Sequence, residues 1–191
     1  MHDVSLTLYF VPTFMAIVHF MVSSKFRQLQ SRLRQMAKDT FSVFTESQIF
    51  YWIDFGTLLG IIREGDIILY DNDIDVCVLD NADTHTKIKE IIAPKLGTKG
   101  YTIKKLDWDA YRIYNCSEDF VDVYLNKVAD KQYIGATGTN SNISKKLIGT
   151  PFEYAWKNTV VMVPEHIHET LEWRYGSTYL TPRIGFKGRD S

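Results

Sequence analysis

Three aspartates, Asp71, Asp73 and Asp75, stand at alternate positions of the run DNDIDVCVL, residues 71–79. Side chains alternate between the two faces of a β-strand, so the three carboxylates share one face and Ile74, Val76 and Val78 share the other. The apolar face can pack on a helix layer while the acidic face looks into a cleft. Neighbouring carboxylates repel one another, and burial raises that cost. A divalent cation resolves the conflict. Mg²⁺ takes oxygen ligands and is commonly held by one or two carboxylates together with substrate phosphates. The pattern therefore points to a Mg²⁺ or Mn²⁺ site for phosphate chemistry. An isolated pair of alternating acids is also compatible with a solvated strand end.

A second source of acid strengthens the metal reading. FVDVYL, residues 120–125, sets Val121, Val123 and Leu125 on one face and Asp122 on the other. If this strand neighbours the first, Asp122 sits beside Asp73 and Asp75. Acids from two strands can hold metal ions that polarise a phosphoryl group and activate the attacking oxygen. Upstream, Gly56 and Thr57 form a turn that opens the short helix LLGIIRE, closed by Gly65. A helix N-terminus offers free N–H groups and a positive dipole end to phosphate. Gly56 lets the backbone approach closely, Thr57 adds a hydroxyl, and Arg63 can clamp a phosphate through its planar fork. The alternative for Arg63 is a surface ion pair with Glu64 or Asp66.

These residues need a scaffold of strands and helices. The chain has 191 residues, 45% hydrophobic and 24% charged, an ordinary globular composition. A net charge of −1 excludes any general attraction to nucleic acid. Helix is expected over 26–50, a short strand over 50–55, the acidic strand over 67–79, and a helix over 83–97 capped by Asp83 or Thr84. Strands follow over 101–106, 110–115 and 120–125. A polar loop covers 126–150, and Pro164 precedes a final helix that Gly176 ends. The mixture of elements predicts an α/β (α+β) class. Cys77 and Cys116 fit neither a disulfide framework nor a zinc spacing and read as small buried residues. His166 and His168 read as surface residues, and His85 and His19 have no evident partner.

Residues 4–22 carry no Asp, Glu, Lys or Arg. That length is near the ~20 residues a helix needs to cross a bilayer, so residues 1–24 are expected to form an apolar N-terminal helix able to attach the protein to a membrane. A buried helix is the alternative. KFRQLQSRLRQMAK, residues 25–38, follows with five basic residues and no acid, an amphipathic pattern that favours the cytoplasmic side of a membrane. Residues 25–191 then form the catalytic domain.

The stretch DFGTLLGIIREGDIILYDNDIDVCV resembles the signature of the LicD/fukutin nucleotidyltransferase-fold family. The likeness extends to FVDVYL and to WKNTVVMVPEHIHETLEWRYGSTYLTP, covering about residues 30–185. It implies a mixed sheet flanked by helices. It also implies transfer of a phospho-alcohol, phosphocholine or ribitol phosphate, from a CDP-linked donor to a glycan acceptor. Position by position, Gly56 and Thr57 match the family's turn, Asp73 and Asp75 its metal pair, and Asp122 its third acid. Asp71 matches a supporting acid, and Asp54 an acid that orients the turn or meets the acceptor. Asn72 replaces an acid found in many members. The residues also admit two other readings: a glycosyltransferase whose DxD holds a sugar nucleotide, and a catalytically silent membrane-associated binding module.

Overall fold

The computed structural model describes residues 5–117, 119–135 and 141–182, with side chains described from residue 24 onward. A long helix α1 (Ser5–Glu46) leads into β1 (Tyr51–Ile53), α2 (Phe55–Glu64) and the acidic strand β2 (Asp73–Leu79). A helical rod follows: α3 (Ala82–Lys87), a π-turn over Ile88–Ile92, and α4 (Ala93–Gly97). Next come β3 (Thr102–Lys105), β4 (Ala110–Tyr114), β5 (Phe120–Val128), β6 (Gln132–Ile134), β7 (Ile143–Ser144) and α5 (Lys145–Ile148). The hairpin β8 (Phe152–Trp156) and β9 (Thr159–Val163) precedes the last helix, α6 (Ile167–Tyr175).

The main sheet runs in the order β1-β2-β5-β4-β3, with β6 paired to β5 and β7 to β6. Only β2 and β5 run parallel among the described strands; the other pairs are antiparallel. The expected mixed sheet with flanking helices is thus present. A single parallel pair does not make the multi-stranded parallel nucleotide-binding half that the glycosyltransferase reading requires.

Alternation along the strands decides what each face buries. Ile74, Val76 and Val78 of β2 lie in register with Val121, Val123 and Leu125 of β5, and all are buried. Across this face α1 lays Leu33, Met36, Ala37, Phe41 and Phe44, a helical i, i+3, i+4 stripe, while the rod adds Ile88, Ile92 and Leu96. Each large side chain so buried contributes roughly 1.5–3 kcal/mol. The opposite face of the same strands carries the acids. One apolar layer therefore fixes the strand register, and the register fixes where the carboxylates meet.

The helix α2 ends as the sequence predicts, with Gly65 at φ 67° and its N–H donating to the Gly60 carbonyl. Gly60 itself has no room for a side chain. A Cβ there would lie 2.7 Å from the Asp66 carbonyl oxygen and 2.9 Å from the Ile68 nitrogen, both backbone atoms that cannot swing aside. Gly60→Ala is expected to cost about 1–3 kcal/mol despite alanine's better helix propensity. An unchanged urea midpoint would show that the loop after α2 yields freely.

Several expectations are corrected. The acidic strand begins at Asp73 rather than residue 67. Asp66 is drawn aside by Arg34 (2.6 Å) and Lys157 (3.3 Å), and residues 68–71 turn through a bond from Asp71 N–H to the Ile68 carbonyl. The rod is capped by Asn81, whose side chain accepts from the Thr84 N–H, and not by Asp83 or Thr84. The polar stretch 126–150 hides the end of β5, then β6, β7 and α5, anchored by Tyr133 on Trp52 at 5.1 Å. The β8–β9 hairpin was not anticipated, although FEYAW and TVVMV alternate around Lys157-Asn158. His85 does have partners: Asp80 Oδ1 and the Tyr111 hydroxyl, each at 2.8 Å. Cys77 is buried as expected, but Cys116 is exposed.

The apolar N-terminal segment falls largely outside the fully described residues, and among the described residues no helix is long and apolar enough to cross a membrane. Of the basic run after it, Arg32 and Arg34 turn onto the domain itself, pairing with Asp119 and Asp66.

Candidate active site

Parallel pairing sets Asp73 opposite Phe120, Asp75 opposite Asp122 and Cys77 opposite Tyr124. Residues paired in register point to the same face, so Asp73, Asp75 and Asp122 share one side of two adjacent strands. Asp75 and Asp122 are buried, at 8% and 3% exposure, and Asp73 is half-buried. Burial pushes the Asp75 carboxyl well above the usual carboxylate range, and the neighbouring charges of Asp73 and Asp122 push it further. Asp73 is raised to about 6 by burial and by Asp71 and Asp122, with Arg112 opposing. Asp71 is also raised, by burial first and then by Glu64, with Arg63 opposing. Asp73 thus feels the charges of Asp71 and Asp122, and Asp75 those of all three. Tyr124 donates its hydroxyl to Asp75 Oδ1 at 3.2 Å, which fixes one oxygen and leaves the repulsion in place.

Asp122 differs. Arg112, its cross-strand partner on β4, donates through Nε and one Nη to the two oxygens at 2.5 and 2.8 Å. Among the described residues, no group of three or more His, Cys, Asp or Glu side chains converges as a metal cage. The expected three-acid set is therefore not assembled as such: Arg112 holds both Asp122 oxygens. Asp73 and Asp75 remain as a like-charged pair with no cation bonded to either in the hydrogen bonds and ion pairs described. Hard oxygen donors, mutual repulsion and burial together fit a divalent cation that completes its shell with substrate oxygens.

The turn above the acids is built by buried polar contacts. Asp54 is fully buried, and its Oδ1 accepts from the Phe55 N–H at 2.8 Å. Trp52 Nε1 reaches its Oδ2 at 3.2 Å, and Arg174 of α6 grips both oxygens at 3.1 and 2.7 Å. Asp54 thus orients the turn, and its burial removes it from contact with an acceptor. Phe55 follows at φ 49°, an unfavourable conformation for a residue with a bulky side chain. Its ring is held between the Arg174 guanidinium, 4.3 Å from the centroid, and Tyr124, 5.0 Å away.

Gly56 then lies against the carboxylates. A Cβ at this position would be 3.0 Å from Asp71 Oδ2 and 3.5 Å from Asp75 Oδ2. A side chain here would press on the Asp71 carboxylate, and glycine lets the N-terminus of α2, whose first amides lack intrahelical partners, lie against the acids. Thr57, expected as a phosphate ligand, is buried, and its hydroxyl oxygen accepts from the Asp75 N–H at 2.7 Å. It fastens helix to strand. Arg63, expected as a phosphate clamp, pairs instead with Glu64 at 2.5 Å. Adjacent residues reach each other without any change of fold, so the ion-pair alternative prevails here.

Two arginines and a tyrosine were missed: Arg112, Arg174 and Tyr124. Arg112 sits in YRIY, where alternation with Ile113 marks it for the acidic face, but nothing local tells which strand lies opposite. Arg174 reads as an ordinary last-turn helix cation. Tyr124 shares the face of Asp122 at a two-residue offset, a signal that was available.

Residues 48–166, more than half of the chain, match the family described as LicD/FKTN/FKRP, nucleotidyltransferase domain. The chain is also 34% identical over 94 residues to the uncharacterized protein RP689 of Rickettsia prowazekii, covering 49% of this chain and 32% of that protein. It is 36% identical over 101 residues to the uncharacterized protein RT0683 of Rickettsia typhi, covering 52% and 30%. The matched part thus spans about a third of those relatives' length. Among solved structures, ANT(2")-Ia in complex with adenylyl-2"-tobramycin is similar at 14% identity and a TM-score of 0.43, covering 72% of each chain. The lincosamide antibiotic adenylyltransferase LnuA, lincomycin-bound, is similar at 17% identity and a TM-score of 0.45, covering 65% of this chain and 75% of that one.

Proposed function

The chain belongs to the LicD/FKTN/FKRP nucleotidyltransferase-domain family, and from that premise we propose that it is a metal-dependent transferase moving a phospho-alcohol from a CDP-linked donor to a glycan hydroxyl. The observation that carries this reading is the in-register meeting of Asp75 and Asp122 on adjacent parallel strands, beside Asp73 and under the glycine of the α2 turn.

In this reading Asp73 and Asp75 would hold Mg²⁺ or Mn²⁺, which when bound neutralises the donor diphosphate and polarises the transferred phosphoryl group. The chain's own residues do the positioning. Tyr124 locks the Asp75 carboxylate through one oxygen. Thr57 ties the Asp75 backbone to α2, so acid and helix terminus move together. The amides at Gly56 and Thr57 present the positive end of α2 to phosphate oxygen. Asp71 adds negative charge at the rim, and Asp122 closes the cleft wall with its charge set against Arg112. Placement and charge neutralisation account for most of the catalysis expected of phosphoryl transfer.

The test is to incubate the protein with CDP-choline and CDP-ribitol, Mn²⁺ and a set of glycans, and to follow CMP release. Metal-dependent release from one donor is the expected result. Release of UDP or GDP from sugar nucleotides, with the CDP-alcohols inert, would overturn it in favour of a sugar transferase.

A further inference from the structure

We infer that Arg112 is a substrate-contacting residue of this site, reading the diphosphate of the donor while Asp122 holds it in place. The inference rests on the phosphoryl-transfer reading above but not on the identity of the base or the alcohol.

Arg112, Asp122 and Asp75 lie in one row across three adjacent strands, each paired with the next by register. The guanidinium is therefore on the acidic face, two strands from the proposed metal pair with β5 between them. It lies over the Phe120 ring, 3.8 Å from the centroid, and Phe120 is itself in register with Asp73. Tyr114 flanks it at 6.0 Å. A stacked, bidentate arginine is pre-organised: one edge is fixed on a carboxylate, Tyr114 offers a further hydrogen-bond partner, and the guanidinium plane is already set. The Arg112 side chain stays 24% exposed, whereas that of Asp122 is 4% exposed, so solvent and ligand meet the cation and not the acid that holds it.

The charge balance of the cleft supports the same assignment. Two carboxylates already balance the charge of one divalent ion, so a nucleotide diphosphate bound beside them calls for a further cation. The other candidate cations are engaged elsewhere: Arg63 on Glu64 at the far end of α2, and Arg174 buried on Asp54. Planar bidentate recognition of phosphate is the task to which arginine is best suited.

The bland alternative is that Arg112 only neutralises Asp122. A double-mutant cycle separates the two, read as Mn²⁺-dependent binding of inorganic pyrophosphate by calorimetry. Asp122→Asn removes the acid that a neutralising arginine would serve and guards against misfolding from a lone buried charge. In that background Arg112→Gln is expected to weaken pyrophosphate binding by roughly tenfold or more, with Arg112→Lys recovering part of it. Equal affinity with Arg112 and with Gln at this position, or no pyrophosphate binding by the wild-type protein, overturns the inference. Turnover of CDP-alcohols tests the reading beneath it separately: pyrophosphate binding lost with Arg112 but no CMP from any donor would retain the arginine's role and discard the donor class.

Discussion

Asp75→Asn is expected to lower transfer by roughly a thousandfold or more and, at neutral pH, to leave the protein more stable than wild type. The two effects share one cause. Asp75 is buried beside Asp73 and Asp122, and its carboxyl is held well above the ordinary range by burial and then by those charges. Asparagine keeps the oxygen that accepts from Tyr124 and leaves the Thr57 contact to the backbone untouched. It removes only the charge, which serves cation binding and opposes folding. A gain of about 1 kcal/mol, some 2–4 °C in Tm, is the expected scale. The pH dependence has a definite sign. Asp73 is raised to about 6 in the folded chain against about 4 unfolded, so the native state holds a proton that the unfolded state has lost. Without added metal, the contribution of Asp73 to stability should be fully present below pH about 4 and be lost as pH rises through about 6, against the opposite trend of the ion-paired Asp39, Asp66 and Asp119. Mg²⁺ or Mn²⁺ at neutral pH should restore it. Thermal unfolding across this range checks both statements. A Tm lower in Asp75→Asn than in wild type, or near-normal turnover, would contradict the assignment.

Arg174→Met is expected to destabilise the protein by about 3–5 kcal/mol, the usual cost of leaving one member of a buried ion pair behind. Arg174 is 4% exposed and Asp54 is fully buried, so the carboxylate left behind would lie away from bulk water. The damage should extend to function. The pair ties α6 to the residue that caps α2, and the same guanidinium lies on the Phe55 ring, supporting that residue's positive φ. Without it, the α2 terminus loses its fixed height above Asp71 and Asp75. Asp54→Asn added to Arg174→Met should recover part of the stability, because the stranded charge is then gone, while activity stays low. Urea unfolding of the single and double variants measures this. A loss below about 1 kcal/mol in Arg174→Met would mean that Asp54 finds another partner.

What could be read from the residues, and what could not, follows from the range of the interactions. Alternation is local, so the shared face of Asp73 and Asp75, the outward turn of Asp122, and the apolar faces of β2 and β5 were all legible. Gly65 closes α2 because the left-handed C-cap is a local preference. The partner of each polar group is a matter of distance along the chain. Asp54 and Arg174 lie 120 residues apart, and Arg112 meets Asp122 only because β4 pairs with β5 in one of several conceivable registers. Thr57 was assigned to phosphate because it stands at a helix N-terminus, and Arg63, at the other end of that helix, because its planar fork can clamp a phosphate. Burial under β2 claimed the first, and an adjacent glutamate claimed the second. The β8–β9 hairpin escaped because a short alternating run next to a polar turn differs little from a loop.

Mn²⁺ titration, followed by the loss of its free-ion paramagnetic resonance signal in the presence of CDP, tests the central claim most directly. The paired strands should bind the ion in the wild-type protein and release it in Asp73→Asn/Asp75→Asn. Equal binding by both proteins, or none by the wild type, would contradict the account.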